Sequence, residues 1–191
     1  GVIVGKEKVT DYILTAMLAS GHVLLEDVPG TGKTLIAKTL AKSVDAQFSR
    51  IQFTPDLVPS DVTGIHYYNQ KAGEFVLRKG PVFANIVLAD EINRTSPKTQ
   101  SALLEVMEER KVSVEGITRE VPNPFIVIAT QNPYGNAGTQ SLPEAQMDRF
   151  MIRVTMGYPS VEDEVSIMKS KTGGLSNRVL SKNVINAQDF M

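Results

Sequence analysis

The stretch His22 to Ser43, HVLLEDVPGTGKTLIAKTLAKS, narrows the folds open to this chain more than any other part of it. An apolar segment, Val23-Leu24-Leu25, runs through a glycine-rich turn into a segment whose apolar residues Leu35, Ile36, Leu40 and Ala41 supply one face of a helix. A strand that feeds directly into a helix belongs to a sheet of parallel strands. The turn between them also suits a phosphate. Glycines let backbone N–H groups approach an anion, and a helix N-terminus behind them adds partial positive charge. Gly30, Gly32, Lys33 and Thr34 match the end of the GxxxxGKS/T pattern, in which the lysine reaches the β and γ phosphates and the hydroxyl binds Mg²⁺. Asp27 stands where that pattern begins with glycine. It lies at the strand end, farther from the phosphates than Pro29 to Thr34, so it reads as a variant of the loop. Pro29 stiffens the same loop by fixing φ.

The strand-then-helix rhythm continues along the chain. Short apolar stretches occur at His22 to Glu26, Gln47 to Phe53, Asn85 to Ala89, Phe125 to Thr130 and Met151 to Thr155, separated by turn chemistry and helical patterns. Ahead of them, Val9, Tyr12, Ile13, Ala16 and Met17 have the spacing of one helix face, ending near Ser20-Gly21. Ile86 to Ala89 and Phe125 to Ala129 are apolar without alternation, which predicts central strands covered on both faces. Two segments read as hairpins: Ile65 to Tyr68 with Glu74 to Leu77, and Lys111 to Val114 with Ile117 to Val121 around a Glu115-Gly116 turn. Between the hairpins, Ser96 predicts a helix cap with Pro97 at the first position, and Thr99, Ala102, Leu103, Val106 and Met107 form the buried stripe. A further helix is expected over Val161 to Lys171, ended by Gly173-Gly174, after a domain boundary near Gly157-Tyr158-Pro159.

Composition mainly excludes. With 191 residues, 42% hydrophobic, the chain can bury one ordinary core with some length left over. A formal net charge of −1 offers no overall field toward nucleic acid or anionic lipid. Cysteine is absent, which removes disulfides and thiolate metal sites and suits a reducing compartment. The apolar runs are strand-length and no signal-peptide layout opens the chain, so no membrane insertion is expected and the cytoplasm is the default location. Starting at Gly1 and stopping in what reads as the opening of a helix, the chain reads as a piece of a longer protein.

Three further groups carry chemistry. Asp90 and Glu91 end the apolar strand at Ile86; beside a phosphate loop, such a pair suits an Mg²⁺-holding carboxylate followed by a base for the attacking water. Asn132, in Ala129-Thr130-Gln131-Asn132-Pro133, ends the next apolar strand, where polar groups point into the ligand crevice of such sheets. It can hydrogen-bond the γ-phosphate or the water, although Asn-Pro also suits a plain turn. Arg149, in Leu142 to Phe150, could steady transition-state charge on a neighbouring subunit's nucleotide, or simply pair with Asp148 or Glu144.

These stretches, together with RIQFTPDLVPSDVTG, GEFVLRKGPVFANIVLADEINRTSPKTQSALLEVMEERKVSV, PFIVIATQNP and LPEAQMDRF, resemble the MoxR-type AAA+ ATPases. The resemblance implies an α/β fold: a three-layer αβα P-loop NTPase core over residues 1–157 with a central parallel five-stranded sheet, two inserted β-hairpins, and over 158–191 a linker and the start of a helical lid. It implies hydrolysis of ATP to ADP and phosphate with Mg²⁺ in a ring, usually a hexamer. On this sequence, Pro29, Gly30, Thr31, Gly32, Lys33 and Thr34 become Walker A with Leu35 beside them. Asp90 and Glu91 become Walker B, Asn132 sensor 1 and Arg149 the arginine finger, with Arg94 a second candidate for a contact across the interface. Val2 to Lys6, including Val4 and Gly5, resembles the segment lining the adenine pocket; the sensor 2 arginine would lie in the lid, most of which the chain lacks. The resemblance further implies a chaperone-like remodeller with a protein client, often partnered by a protein with a von Willebrand factor A domain. Two other readings stay open. One is a nucleic-acid motor, although Lys71, Arg78, Lys111 and Arg119 beside Glu74, Glu115 and Glu120 make a thin footprint on the hairpins. The other is a nucleotide-dependent binding module without turnover.

Overall fold

The computed structural model describes residues 7–27, 32–132 and 142–156, the side chains of 7, 8, 27, 155 and 156 excepted. The expected helix over Val161 to Lys171, the boundary near Gly157, the 158–191 lid and the Val2 to Lys6 segment lie outside these residues. Along the chain come α1 (Glu7–Leu18), β1 (Val23–Asp27), α2 (Lys33–Ser43), β2 (Phe48–Gln52), α3 (Pro59–Thr63), β3 (Gly64–Asn69), β4 (Glu74–Lys79), β5 (Ile86–Asp90), a 3-10 turn (Ile92–Arg94), α4 (Pro97–Glu109), β6 (Lys111–Val114), β7 (Ile117–Glu120), β8 (Ile126–Gln131), α5 (Glu144–Met147) and β9 (Ile152–Met156).

Five of these strands form one parallel sheet in the order β2-β5-β8-β1-β9, with β5 and β8 inside as their apolar runs require. Side chains along the central strands alternate between two cores. Val23, Leu25, Ile86, Leu88, Ile126 and Ile128 pack with residues of α1 and α2 such as Ile13, Met17, Ile36 and Leu40. Leu24, Val87, Ala89, Val127 and Ala129 pack on the other face with Leu103, Leu104 and Met107 of α4. Both faces are therefore dry, and each large aliphatic side chain so buried contributes roughly 1.5–3 kcal/mol.

Local signals set the helix ends. Ser96 Oγ accepts the N–H of Thr99 at 3.4 Å with Pro97 next to the cap, and α4 stops where Arg110 turns left-handed at φ 56. In α1 the buried stripe is Val9, Ile13, Ala16 and Met17, while Tyr12 is 47% exposed. In α2 it is Ile36, Ala37, Leu40 and Ala41, and Leu35, expected on the apolar face, is 51% exposed. A helix lying flat on a sheet buries only a narrow stripe, so apolar residues at its margin stay in water.

The two hairpins, β3–β4 and β6–β7, are antiparallel and separate from the main sheet. Glu115 (φ 51) and Gly116 (φ 78) both take positive φ, the requirement of the two-residue hairpin turn that matches strand twist. β3–β4 presents Tyr67, Tyr68 and Phe75 to solvent, with Tyr68 and Phe75 edge to face at 5.3 Å.

A buried polar cluster sits near the amino ends of the strands. His22 accepts the Val127 N–H at Nδ1 (2.9 Å), so its Nε2 carries the proton toward the Met107 carbonyl (3.1 Å). Its ring meets Phe125 edge-on at 5.8 Å, and Arg110 lies over the same Phe125 ring while donating to the Phe125 and Ser20 carbonyls. Burial, and after it the Arg110 charge, lowers the His22 pKa to about 4.

Candidate functional site

Because the sheet is parallel, its strands end along one edge, where ligand crevices form in such sheets. Leu24, Ala129 and Ala89 stand side by side on β1, β8 and β5. The loop after β1 and the acids after Ala89 therefore leave the same edge with β8 between them, about 10 Å apart at two strand spacings.

On the β1 side, Asp27 closes the strand, as expected. The preceding Glu26 Oε1 accepts from Gln131 Nε2 at 2.8 Å and Arg153 Nη2 at 3.1 Å, so its charge is already matched. Pro29, Gly30 and Thr31 lie outside the described residues, as do Val4 and Gly5. The end of the loop is described: Gly32 takes φ 80 and ψ 13, a left-handed conformation natural to glycine, and α2 starts at Lys33. The first turn of α2 holds no acid. Such an end offers backbone N–H groups and positive potential to an anion, with Lys33 and Thr34 half-buried in the same turn.

On the β5 side, the expectation of a strand ending in two acids needs a correction. β5 ends at Asp90, and Glu91 has already turned left-handed, φ 56 and ψ 49, to cap the 3-10 turn. The reason is the bond its peptide makes: Glu91 N–H donates to the Thr130 hydroxyl at 2.8 Å. Thr130 in turn donates to Asp90 Oδ1 at 2.7 Å. Asp90, 9% exposed, takes Arg50 Nη2 on Oδ2 at 2.6 Å. The same Arg50 nitrogen reaches Gln52 Oε1 at 2.8 Å, and Gln52 Nε2 reaches Glu91 Oε2 at 3.1 Å, which closes a ring over β2, β5 and β8. Arg94 Nη1 adds a bond to Glu91 Oε2 at 2.8 Å, so Arg94 grips the glutamate of its own chain.

Asn132 follows β8 directly, and its carbonyl accepts from the buried Asn93 Nδ2 at 3.2 Å. Arg149 pairs with Glu108 of α4 at 3.1 Å, and not with Asp148 or Glu144. One turn of α5 sets Arg149 beside α4, whereas sequence neighbours on so short a helix do not face each other. Around that pair a groove of about 230 Å³ is lined by Ser101, Glu105 and Gln146.

Sequence reading passed over Arg50, Gln52 and Thr130. For the first two a signal existed: in Arg50-Ile51-Gln52 the middle residue is buried at 3% exposure, so the polar pair shares the opposite face of β2. Thr130 gave none, being a β-branched residue in a strand.

The donors present fit Mg²⁺. Thr34 and Asp90 carry hard oxygen donors, and each Asp90 oxygen, with one hydrogen bond apiece, keeps a lone pair. That suits an ion that takes one or two protein oxygens and completes its shell with phosphate and water.

A family model described as "ATPase family associated with various cellular activities (AAA)" matches residues 22–152. The chain is 60% identical over 167 residues to the uncharacterized protein YeaC of Bacillus subtilis, covering 87% of this chain and 52% of that protein. It is 54% identical over 167 residues to Chaperone MoxR1 of Mycobacterium tuberculosis, covering 87% and 44% respectively. A crystal structure of a protein taken to be an ATPase, from Cytophaga hutchinsonii, superposes with a TM-score of 0.87 at 46% identity, covering 99% of this chain and 57% of that one. The chain thus spans about half the length of the curated relatives it matches. The match over residues 22–152 and these relatives show that the chain belongs to the MoxR group of the AAA ATPase family.

Proposed function

We propose that the chain binds ATP with Mg²⁺ at the carboxyl edge of the sheet, hydrolyses it to ADP and phosphate, and uses the cycle to remodel partner proteins as a ring of copies. The observation that carries this reading is the Asp90–Glu91 turn, bound to Thr130 and two strands over from β1 and its helix, with β8 between. In this reading the loop from Pro29 to Thr34 cradles the phosphates through its backbone, and the Lys33 ammonium neutralises their charge. Thr34 and Asp90 hold the ion, which supplies neutralisation of the charge developing on the phosphates. Glu91 accepts a proton from the attacking water, and Asn132 orients that water or the phosphate it attacks. Arg149 leaves Glu108 to meet the nucleotide of the next subunit. The pairing of Arg94 with Glu91 in cis favours Arg149 for that role.

The similarity to Chaperone MoxR1 of Mycobacterium tuberculosis supports remodelling of protein. The domain division at residue 157, the hexamer, a protein client and a von Willebrand factor A partner complete the proposal. Among the described residues no helix is long and apolar enough to cross a membrane. The test is Glu91→Gln in the intact protein: turnover is lost while ATP binding persists, whereas Lys33→Ala weakens binding itself. Unchanged turnover in Glu91→Gln would sink the reading, and absence of turnover in the unsubstituted protein would leave only a nucleotide-dependent binding module.

A further inference from the structure

We propose that Thr130 is a positioning residue for hydrolysis, setting the Asp90 carboxylate and the Glu91 turn from the neighbouring strand; the inference rests on the proposed function. Thr130 is fully buried, at 0% exposure. A hydroxyl has one proton and two lone pairs. The proton goes to Asp90 Oδ1 at 2.7 Å, and one lone pair receives the Glu91 N–H at 2.8 Å. Its polarity is therefore set: it donates to the acid and accepts from the peptide that follows the acid.

The placement matters as much as the bonds. Backbone pairing between β5 and β8 ends at Ala89 and Ala129. Where the ladder stops, the side chain of Thr130, one residue past Ala129, takes the N–H of Glu91, two residues past Ala89. That capture accompanies the left-handed Glu91, φ 56 and ψ 49, a conformation costly for any residue with a Cβ. Without it, a strand continued through Glu91 would place the two acids on opposite faces. With it, Glu91 swings off the strand, while Asp90 keeps one carboxylate oxygen pinned to β8 and the other to Arg50 of β2. Asp90 itself cannot supply this, being acceptor-only when ionised. Serine preserves both bonds; valine, of the same shape, preserves neither and leaves two buried groups unpaired.

The experiment compares Thr130→Val and Thr130→Ser with the unsubstituted intact protein, measuring kcat and, separately, affinity for a fluorescent ATP analogue with and without Mg²⁺. In Thr130→Val, kcat is expected to fall by about tenfold or more, the scale of one hydrogen bond to a charged group, while affinity without Mg²⁺ stays within about threefold. Thr130→Ser returns kcat to within about threefold of the unsubstituted value. A smaller fall in Thr130→Val, a joint loss of metal-free affinity, or a serine variant no better than valine overturns the proposal. Should Thr130→Val be too unstable to purify, Thr130→Cys, whose thiol is a weak donor and weak acceptor, takes its place under the same criteria. Glu91→Gln run in parallel separates the failures: if it too turns over ATP normally, the proposed function falls, and if it is inactive while Thr130→Val is normal, only the role of Thr130 falls.

Discussion

Two polar networks hang on the same strand, β8, and behave as opposites. His22 binds the backbone of Val127 near its start, and the hydroxyl of Thr130 binds Asp90 and Glu91 near its end. At the His22 end both ring nitrogens have backbone partners, the ring is neutral, and burial pushes its pKa down to about 4. At the Thr130 end the acceptors are carboxylates, their partners are arginines and an amide, and the backbone leaves its regular path at Glu91. Burial and hydrogen bonding are common to both, so neither marks function alone. What separates them is charge held at the carboxyl edge, beside a helix N-terminus that no acid in its first turn neutralises.

If that contrast is right, perturbing each end moves a different quantity. The largest effect is expected from Glu91→Gln, which should lower ATP turnover by about a hundredfold or more with the unfolding midpoint nearly unchanged, as steady-state kinetics and thermal melts will check. A comparable loss of stability in Glu91→Gln would break the comparison. His22→Ala should do the reverse, costing about 3 kcal/mol in denaturant unfolding because Val127 N–H and Met107 C=O lose their partner, with kcat per folded molecule retained.

The pH dependence follows from the same histidine. Its folded pKa, about 4, lies below the ordinary 6.5, so the unfolded chain binds the extra proton first. The contribution is full above pH 6.5 and is lost as pH falls through 4, approaching about 3 kcal/mol at that point. Urea titrations across this window should show the slope, and His22→Gln should flatten it. The smallest effect is expected at Lys111–Glu120, an exposed pair at 3.9 Å belonging to neither network. Glu120→Ala should shift stability by less than about 0.5 kcal/mol.

Much of the sheet was legible beforehand because a doubly covered strand must be apolar throughout, and Ile86 to Ala89 and Phe125 to Ala129 are. The α4 cap at Ser96 and the Glu115-Gly116 turn were equally legible, since both answer to local backbone demands. Misreadings arose where the answer depended on neighbours distant in sequence. Leu35 and Tyr12 fit a helical stripe but fall outside its width, and Arg149 chose Glu108 from another helix over acids close in sequence.

Asp90 and Glu91 were visible as a pair because their chemistry is written in adjacent letters. Their arrangement was not, for it is made by Thr130, Arg50 and Gln52, 39 or 40 positions away along the chain and next door only in the folded sheet. Residue type and spacing thus determined which groups the chain offers and where its strands and helices begin. Tertiary structure alone decided which hydrogen bonds those groups make, because a hydroxyl or guanidinium takes whichever partner parallel pairing brings within about 3 Å.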